Sequence, residues 1–254
     1  MRFTKAIVRT PCPSMINGLT TAGLGRPDYE KALVQHAAYV EALKACGLYV
    51  TVLPPDNDYP DSTFVEDTAL VTSACAIIMR PGAPSRRGET EEIETVLRGF
   101  YPIIERVRTP GTVDGGDIMM VGKHFYVGLS QRTNAVGAGQ VIQILNKYGM
   151  TGSTVPTNEA LHLKSGAAYI ENGYMVTAGE FIGRPEFADY TKISIDEDEG
   201  YAANCLFVSE TVLLASGYAK IKQAIEACGF KTMTLDMSEF QKLDGGLSCL
   251  SLRF

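Results

Sequence analysis

Apolar and polar positions repeat one order of elements: two short apolar strands around a polar turn, an amphipathic helix, and a third strand. The second copy is the clearest. Residues 67–72 and 76–80 alternate as a hairpin around Ser73, residues 89–100 have helical spacing, and residues 103–107 form the last strand. Strands and helices repeat their apolar positions with periods of 2 and 3.6. The pattern therefore predicts a ββαβ unit.

Three further copies follow the second one. Their predicted elements are 117–121, 124–127, a helix from about 133 to Gly149 and 153–155; then 167–170, 174–177, a short helix near 186–190 and 192–195; then 204–208, 212–215, a helix from about 221 to Gly229 and 232–235. Asn172-Gly173 between two apolar runs is a strong hairpin signal.

The N-terminal unit is incomplete because only one strand, residues 6–10, precedes its helix 28–46 and its closing strand 49–53. Residues 250–254 supply the missing strand if the two ends of the chain meet. Five units then close into a ring with strands near the axis and helices outside, which buries the strand edges. We expect an α/β fold, a five-bladed pseudo-symmetric propeller, in a single domain of residues 1–254.

Ring closure would bring the loop that enters each hairpin to the same end of the axis. In four units these loops carry reactive side chains: Glu66 and Asp67; Asp114 and Asp117; His162; and Cys249. The loop of the fifth unit, residues 196–200, is acidic. It fails the calcium-loop pattern because its glycine comes one position early, so we expect a solvated loop.

Composition and charge argue against several classes of protein. The chain has 254 residues and a net charge of −6 with scattered basic residues, which argues against nucleic acid as a partner. The first residues lack a signal-peptide pattern and no apolar run has membrane-spanning length, so we expect a cytoplasmic protein without membrane contact. The six cysteines are dispersed without a Cys-x-x-Cys pair and are predicted to be reduced thiols.

A thiol, an imidazole and carboxylates around one pocket support nucleophilic catalysis. Each residue has a simpler explanation when taken alone: Cys249 as a packed thiol, His162 as a core histidine, Asp114 as a turn residue. Their shared position in the repeat favours a common site. One thiol and one imidazole without a matched ligand pattern are weak evidence for zinc. We therefore predict no metal and no cofactor.

Several motifs occur in an order that matches a known family. They are Gly18-Leu19-Thr20, Pro60-Asp61-Ser62, Phe64-Val65-Glu66-Asp67, Arg80 to Arg87, Asp114-Gly115-Gly116-Asp117, His162-Leu163-Lys164 and Asp244 to Cys249. With them the chain resembles the dimethylarginine dimethylaminohydrolases, members of the guanidino-group-modifying superfamily with the pentein fold. The resemblance implies hydrolysis of dimethylarginine and monomethylarginine to citrulline and a methylamine through a covalent cysteine-thiouronium intermediate.

The resemblance also implies roles for individual residues. Cys249 would attack the guanidinium carbon, His162 would protonate the departing amine and then assist water, and Asp114 would orient His162. The nearby histidine and the cationic substrate would both favour the thiolate. The implied substrate-binding residues are Glu66 and Asp67 for the guanidinium, Asp61 for the α-amine, Arg86 and Arg132 for the α-carboxylate, and Leu19, Leu243 and Asp244 as further ligand contacts.

Around the substrate, the glycine-containing loop 14–26 resembles a lid. The only partner implied is the small-molecule substrate, and a homodimer is left open.

Three alternatives remain at this stage. Arginine deiminases use the same nucleophile but carry His-x-Asp, whereas Lys164 occupies that third position here; the missing carboxylate should tolerate methyl groups on the guanidinium. Amidinotransferases need an amine acceptor and are longer. A binding protein on the same ring fold, such as the ribosome anti-association factors, lacks the nucleophile that this chain retains, and fold alone does not decide the function.

Overall fold

The computed structural model describes residues 3–254, which form five three-stranded sheets. The sheet orders are β15-β1-β2, β3-β4-β5, β6-β7-β8, β9-β10-β11 and β12-β13-β14. The strands are β1 (Lys5–Arg9), β2 (Tyr49–Leu53), β3 (Ala69–Val71), β4 (Ala76–Ile78), β5 (Ile104–Arg106), β6 (Ile118–Val121), β7 (His124–Leu129), β8 (Thr151–Pro156), β9 (Ala167–Tyr169), β10 (Tyr174–Thr177), β11 (Thr191–Ser194), β12 (Leu206–Val208), β13 (Thr211–Ala215), β14 (Lys231–Leu235) and β15 (Leu252–Arg253). In every sheet the central strand is antiparallel to one neighbour and parallel to the other.

Helices connect the central strand to the parallel strand in four of the five units. They are α1 (Tyr29–Ala45), α2 (Thr90–Arg98), α3 (Ala135–Lys147) and α4 (Ala219–Ala227), and a short α5 (Ser238–Gln241) precedes the last loop. The helix predicted near 186–190 is wrong: only the 3-10 turn Pro185–Phe187 forms there. Gly183 and Pro185 lie just before that segment, and its five residues are too few to offset the cost of helix nucleation.

The two ends of the chain pair in one sheet, as predicted. Strand β1 runs antiparallel to β15 with Ala6 opposite Arg253 and Ile7 opposite Leu252. The last strand is shorter than residues 250–254 because Ser248–Leu250 forms a 3-10 turn. This pairing supports the single domain of residues 1–254, which stays a prediction; Met1 and Arg2 lie outside the described residues.

Apolar side chains form five buried clusters, and each cluster joins two neighbouring units. Strand β13 shows the reason. Val212 and Leu214 pack toward the fourth unit, while Leu213 and Ala215 pack toward the first unit. Because successive side chains of a strand point to opposite faces, a central strand buried on both faces is continuously apolar. Within residues 3–254, no helix has the length and apolar character needed to span a membrane.

A 3-10 turn precedes the first strand of every unit, with at most two residues between them. The turns are Val65–Thr68, Gly115–Asp117, Leu163–Ser165, Glu197–Ala203 and Ser248–Leu250. The predicted strand starts at Asp67 and Asp117 are therefore wrong, since both residues lie in these turns. Turns of neighbouring units contact one another, so the predicted convergence of the hairpin-entry loops is confirmed.

The acidic segment 196–200 is only partly solvated, which corrects the expectation of a solvated loop. Glu199 is buried, and its carboxylate accepts the backbone N–H groups of Lys220 at 3.1 Å and Ile221 at 2.7 Å. These are unpaired donors of the first turn of α4. Glu199 therefore stabilises the start of that helix and contributes nothing to the site described next.

Candidate active site

The hairpin-entry turns surround a cavity that contains both the predicted nucleophile and the predicted proton carrier. It is lined by Leu19, Asp61, Phe64, Asp67, Arg86, Arg132, Leu161, His162, Leu243, Asp244, Gly245 and Cys249. All of the predicted site residues except Asp114 and Glu66 line this cavity. Those two lie behind it, Asp114 against His162 and Glu66 near Cys249.

The imidazole of His162 contacts Asp114, the residue predicted to orient it. The imidazole Nε2 lies 3.1 Å from Asp114 Oδ2, and the other carboxylate oxygen accepts the backbone N–H of Gly82 at 2.8 Å. Asp114 is fully buried. A carboxylate fixed in this way also fixes the ring plane and the tautomer of the histidine.

The surrounding carboxylates favour the protonated imidazole. Burial alone would lower the pKa of His162, but the negative charge of Asp67, the hydrogen bond with Asp114 and the charge of Asp117 outweigh burial and raise it to about 9. His162 is therefore an imidazolium at neutral pH. It can donate a proton without first acquiring one from solvent.

Gly116 allows His162 and Asp67 to approach the backbone. A Cβ at this position would lie 2.7 Å from Nδ1 of His162 and 3.0 Å from Asp67 Oδ1. Without one, the Gly116 N–H donates to Asp67 Oδ1 at 2.8 Å. The Gly-Gly pair of the motif is thus required by close packing at the site and does not simply make a turn.

Cys249 lies in the 3-10 turn Ser248–Leu250, where its Sγ accepts the N–H of Gly246 at 3.4 Å. Burial, together with the negative charges of Glu66 and Asp67, raises the pKa of the thiol to about 12. The expectation that the nearby histidine favours the thiolate is therefore wrong for the unliganded protein. Burial and the two carboxylates dominate, and the thiol is neutral at pH 7.

Glu66 forms ion pairs with two cationic side chains that the sequence did not identify as its partners. Its carboxylate lies 2.6 Å from Lys164 Nζ, accepts Ser248 Oγ at 2.8 Å and lies 3.2 Å from an Nη of Arg253. On its far side, a second cavity of about 130 Å³ is also lined by Glu66, Lys164, Ser248 and Arg253. The role of Glu66 in binding a guanidinium stays a prediction.

Arg86 is buried in an ion-pair network. Its Nη1 donates to Asp67 Oδ2 at 2.6 Å, while Nε and Nη2 donate to Glu89 at 3.0 and 2.8 Å. Nη2 also donates to the carbonyl of Phe64 at 3.0 Å. Within residues 3–254 this leaves one N–H of Nη1 for a ligand. Such a partly engaged guanidinium can still bind a carboxylate, and it holds Asp67 in place.

Glu89 was missed at the sequence level. Burial raises the pKa of Glu89 to about 7 despite the two bonds from Arg86. The spacing of three residues between Arg86 and Glu89 was the available signal, because such pairs share one helical face.

Arg132 has the less restricted guanidinium of the two predicted carboxylate ligands. Its side chain is 22% exposed, and Nη1 lies 4.0 Å from Asp114 Oδ2. Both Arg86 and Arg132 line the cavity. Both are cationic groups in the lining of one cavity, and their role in binding an α-carboxylate stays a prediction.

The predicted lid loop is hydrogen-bonded to two residues that line the cavity. Leu19 N–H donates to Asp61 Oδ1 at 2.9 Å, and Thr21 N–H donates to Asp244 Oδ2 at 2.5 Å. Gly18 permits this contact, because a Cβ there would lie 2.8 Å from Asp61 Oδ1. The cavity volume is about 30 Å³, room for about two water molecules. An amino-acid ligand therefore requires the lid to open.

One set of side chains has the spacing of a metal site. A ligand atom from each of Asp67, Asp114 and His162 lies within 4.8 Å of the others. Each of the four carboxylate oxygens already accepts a hydrogen bond, from Gly116, Arg86, Gly82 or His162. The arrangement is that of a positioned imidazolium, and we assign no metal to it.

A family model, related sequences and a solved structure all indicate the same enzyme family. A family model described as N,N dimethylarginine dimethylhydrolase, eukaryotic, matches residues 26–183. The chain is 54% identical to the N(G),N(G)-dimethylarginine dimethylaminohydrolase of Pseudomonas aeruginosa over 253 residues, covering 99% of this chain and 100% of that one. Identity to the enzyme of the same name from Streptomyces coelicolor is 35% over 254 residues, covering 100% and 98%. The solved structure of the C249S variant of the Pseudomonas aeruginosa protein complexed with citrulline matches with a TM-score of 0.99 and 53% identity over 100% of both chains.

Proposed function

The chain belongs to the dimethylarginine dimethylaminohydrolase family, and we propose that Cys249, His162 and Asp114 carry out the reaction of that family in this protein. The reaction is the hydrolysis of dimethylarginine to citrulline and dimethylamine. We extend the proposal to monomethylarginine, because Lys164 leaves one guanidinium edge without the second carboxylate of the deiminases.

Substrate binding supplies what the resting site lacks. Burial and the charges of Glu66 and Asp67 keep the thiol protonated, with its pKa near 12. The same two carboxylates attract a guanidinium. Once this cation is bound, their charge is compensated and the thiolate becomes more favourable. Arg86, Arg132 and Asp61 are proposed to hold the α-carboxylate and the α-amine, which places the guanidinium carbon against Cys249.

In the first half of the reaction, the Cys249 sulfur donates an electron pair to the guanidinium carbon and forms a C–S bond. The proton of the thiol passes to solvent as the cation binds. His162, protonated because its pKa is near 9, gives its proton to the dimethylamine nitrogen. The C–N bond breaks, dimethylamine departs and a thiouronium remains on Cys249.

In the second half, neutral His162 removes a proton from a water molecule, which attacks the same carbon. The C–S bond then breaks with its electron pair returning to sulfur, the hydroxyl proton of the intermediate passes to that sulfur, and citrulline is released. The neutral thiol and the imidazolium of the resting site are thereby restored. No residue is changed at the end of the cycle.

One observation supports this proposal most strongly. Cys249 and His162, from distant parts of the chain, line one cavity in which carboxylates favour the imidazolium and attract a cation. The non-catalytic ring-fold alternative gives no reason for this combination.

The test is citrulline release from dimethylarginine, monomethylarginine and arginine in parallel, in wild type and in Cys249→Ser. We expect turnover of the methylated substrates, much slower turnover of arginine, and a loss of about 10³-fold or more in the serine variant. Cys228→Ser is the matched control, because this half-buried thiol lies outside the cavity. No citrulline from any substrate would favour a binding protein, and a preference for arginine would favour a deiminase.

We also propose a cytoplasmic location, which is supported by six cysteines that are all free thiols. A homodimer stays open, and sedimentation of the purified protein measures the oligomeric state.

A further inference from the structure

Asp117 is a fully buried carboxylate that the reaction described above does not use. It ends the 3-10 turn Gly115–Asp117 and is the second aspartate of the Asp114-Gly115-Gly116-Asp117 motif. It does not line the cavity. A buried carboxylate is costly unless its oxygens are bonded, so its partners indicate what it does.

The Asp117 carboxylate accepts three hydrogen bonds from two separate loops. Oδ1 accepts the backbone N–H of Leu163 at 2.9 Å. Oδ2 accepts the hydroxyl groups of Ser130 at 2.7 Å and Thr133 at 2.6 Å. A Cβ on Gly128 would lie 2.7 Å from Oδ1, so the glycine makes room for this contact.

The two hydroxyl groups that bond Asp117 also bond the backbone of functional residues. Ser130 Oγ accepts the N–H of Arg132 at 3.0 Å and that of Thr133 at 3.2 Å. Thr133 Oγ1 accepts the N–H of Asp114 at 3.1 Å. Since these hydroxyls accept backbone donors on one side, their protons must point to Asp117. The network therefore requires an acceptor at both Asp117 oxygens.

All three donors to Asp117 are neutral, so its negative charge is not cancelled by a paired lysine or arginine. That charge acts on His162, whose pKa it raises together with Asp67 and Asp114. Burial raises the pKa of Asp117 itself, while His162 and the three donors lower it. The three-donor geometry is that of the ionised carboxylate.

We propose that Asp117 is a positioning residue for the hydrolysis: it ties the loop of His162 to the loops of Arg132 and Asp114 and stabilises the imidazolium by its charge. This inference rests on the proposed function. It explains why one motif contains two aspartates, of which only Asp114 contacts the imidazole.

The first test is Asp117→Asn, which keeps the shape but places an NH₂ group against a donor. We expect kcat/KM for dimethylarginine to fall about 10²-fold, because a small misplacement of reacting groups has an effect of this size. The imidazolium should also lose its proton at lower pH. This can be followed by NMR titration of the His162 ring without turnover, since the chain has three histidines and variants assign them.

Glu199→Gln is the matched control, because it also removes a buried carboxylate that accepts two N–H groups, but at the start of α4. It should reduce stability and leave kcat, KM and the His162 titration within about twofold of wild type. A loss in Glu199→Gln equal to that in Asp117→Asn would overturn the proposal, and so would an Asp117→Asn variant with unchanged kinetics and an unchanged His162 titration.

A second variant, Ser130→Ala, covers the case in which Asp117→Asn does not fold. It removes one hydroxyl of the half-buried Ser130 and releases the backbone of Arg132. We expect KM to rise about tenfold with a smaller change in kcat, since one hydrogen bond to a charged group is lost on the binding side. An unchanged KM would contradict the proposed link between Asp117 and Arg132. Failure of the wild-type chain to produce citrulline would instead refute the proposed function, whereas the histidine titration would still test Asp117.

Discussion

The two sides of the cavity both bury carboxylates, yet they balance the charge in different ways. On the histidine side, Asp114 accepts a backbone N–H and contacts the His162 cation, whereas Asp117 accepts one backbone N–H and two hydroxyl groups. On the thiol side, Glu66 is paired with Lys164 and Arg253.

This difference determines the protonation of the resting site. Excess negative charge raises the pKa of His162 to about 9, so the proton donor is ready before substrate arrives. The pKa of Cys249 is near 12, since burial and the charges of Glu66 and Asp67 outweigh Lys164. The nucleophile therefore depends on the substrate cation, whereas the acid does not. A thiol that stays neutral without substrate is also less open to oxidation.

The largest effect is expected on the histidine side, from His162→Gly. It removes the only group that we propose to protonate the departing amine, so turnover should fall about 10³-fold. Added imidazole should restore part of the rate by occupying the vacated space. The measurement is citrulline formation with and without imidazole, with the imidazole-treated wild type as control. Normal turnover of the glycine variant would mean that another group delivers the proton.

A smaller loss is expected from Asp114→Asn, about 10²-fold, because the histidine keeps its place but loses a charged partner. The protonated imidazole is the active form, so kcat falls as pH rises through its pKa, near 9 in wild type. Loss of the Asp114 charge lowers this pKa, so the alkaline decline should begin at lower pH. The pH profile of kcat measures the shift, and an unmoved profile would assign the orientation of His162 to another residue.

Much of the ring was predictable from the sequence because strands and helix ends are determined by local residue patterns. Central strands such as β13 are apolar along their buried part, here residues 212–215, since both faces are covered, and Gly47, Gly149 and Gly229 end three helices with positive φ. The pairing of β1 with β15 followed from a missing strand in the repeat. The 3-10 turns were not predictable, because runs of three to seven residues carry no distinct periodicity.

The site was predictable in part, for a related reason. Cys249, His162 and Asp114 stood out by their position in the repeat, and the family motifs implied the binding residues. The partners of Glu66 did not stand out in the sequence. Arg253 is 187 positions away, and only the closed ring brings the two residues together. The protonation of Cys249 was misjudged for the same reason: it depends on burial and on charges from other units.

The smallest effect tests the thiol side through Lys164→Met. Lys164 lowers the pKa of Cys249, so its removal should raise that pKa further and leave Glu66 with Arg253 and Ser248. We expect kcat/KM to fall about tenfold, which corresponds to about one pKa unit of the nucleophile. Iodoacetamide labelling of the peptide that contains Cys249, followed by mass spectrometry from pH 7 to 10, should be slower than in wild type.

Lys164→Arg is the control for that experiment, since it keeps the charge beside Glu66. If Lys164→Met alkylates as fast as Lys164→Arg, the ion pair does not influence the nucleophile and its role is limited to packing between the two cavities. If instead Lys164→Met slows labelling while Asp114→Asn leaves it unchanged, the two sides of the site act independently. The fold alone then keeps the proton donor His162 protonated, whereas the nucleophile Cys249 loses its proton only when the substrate cation binds.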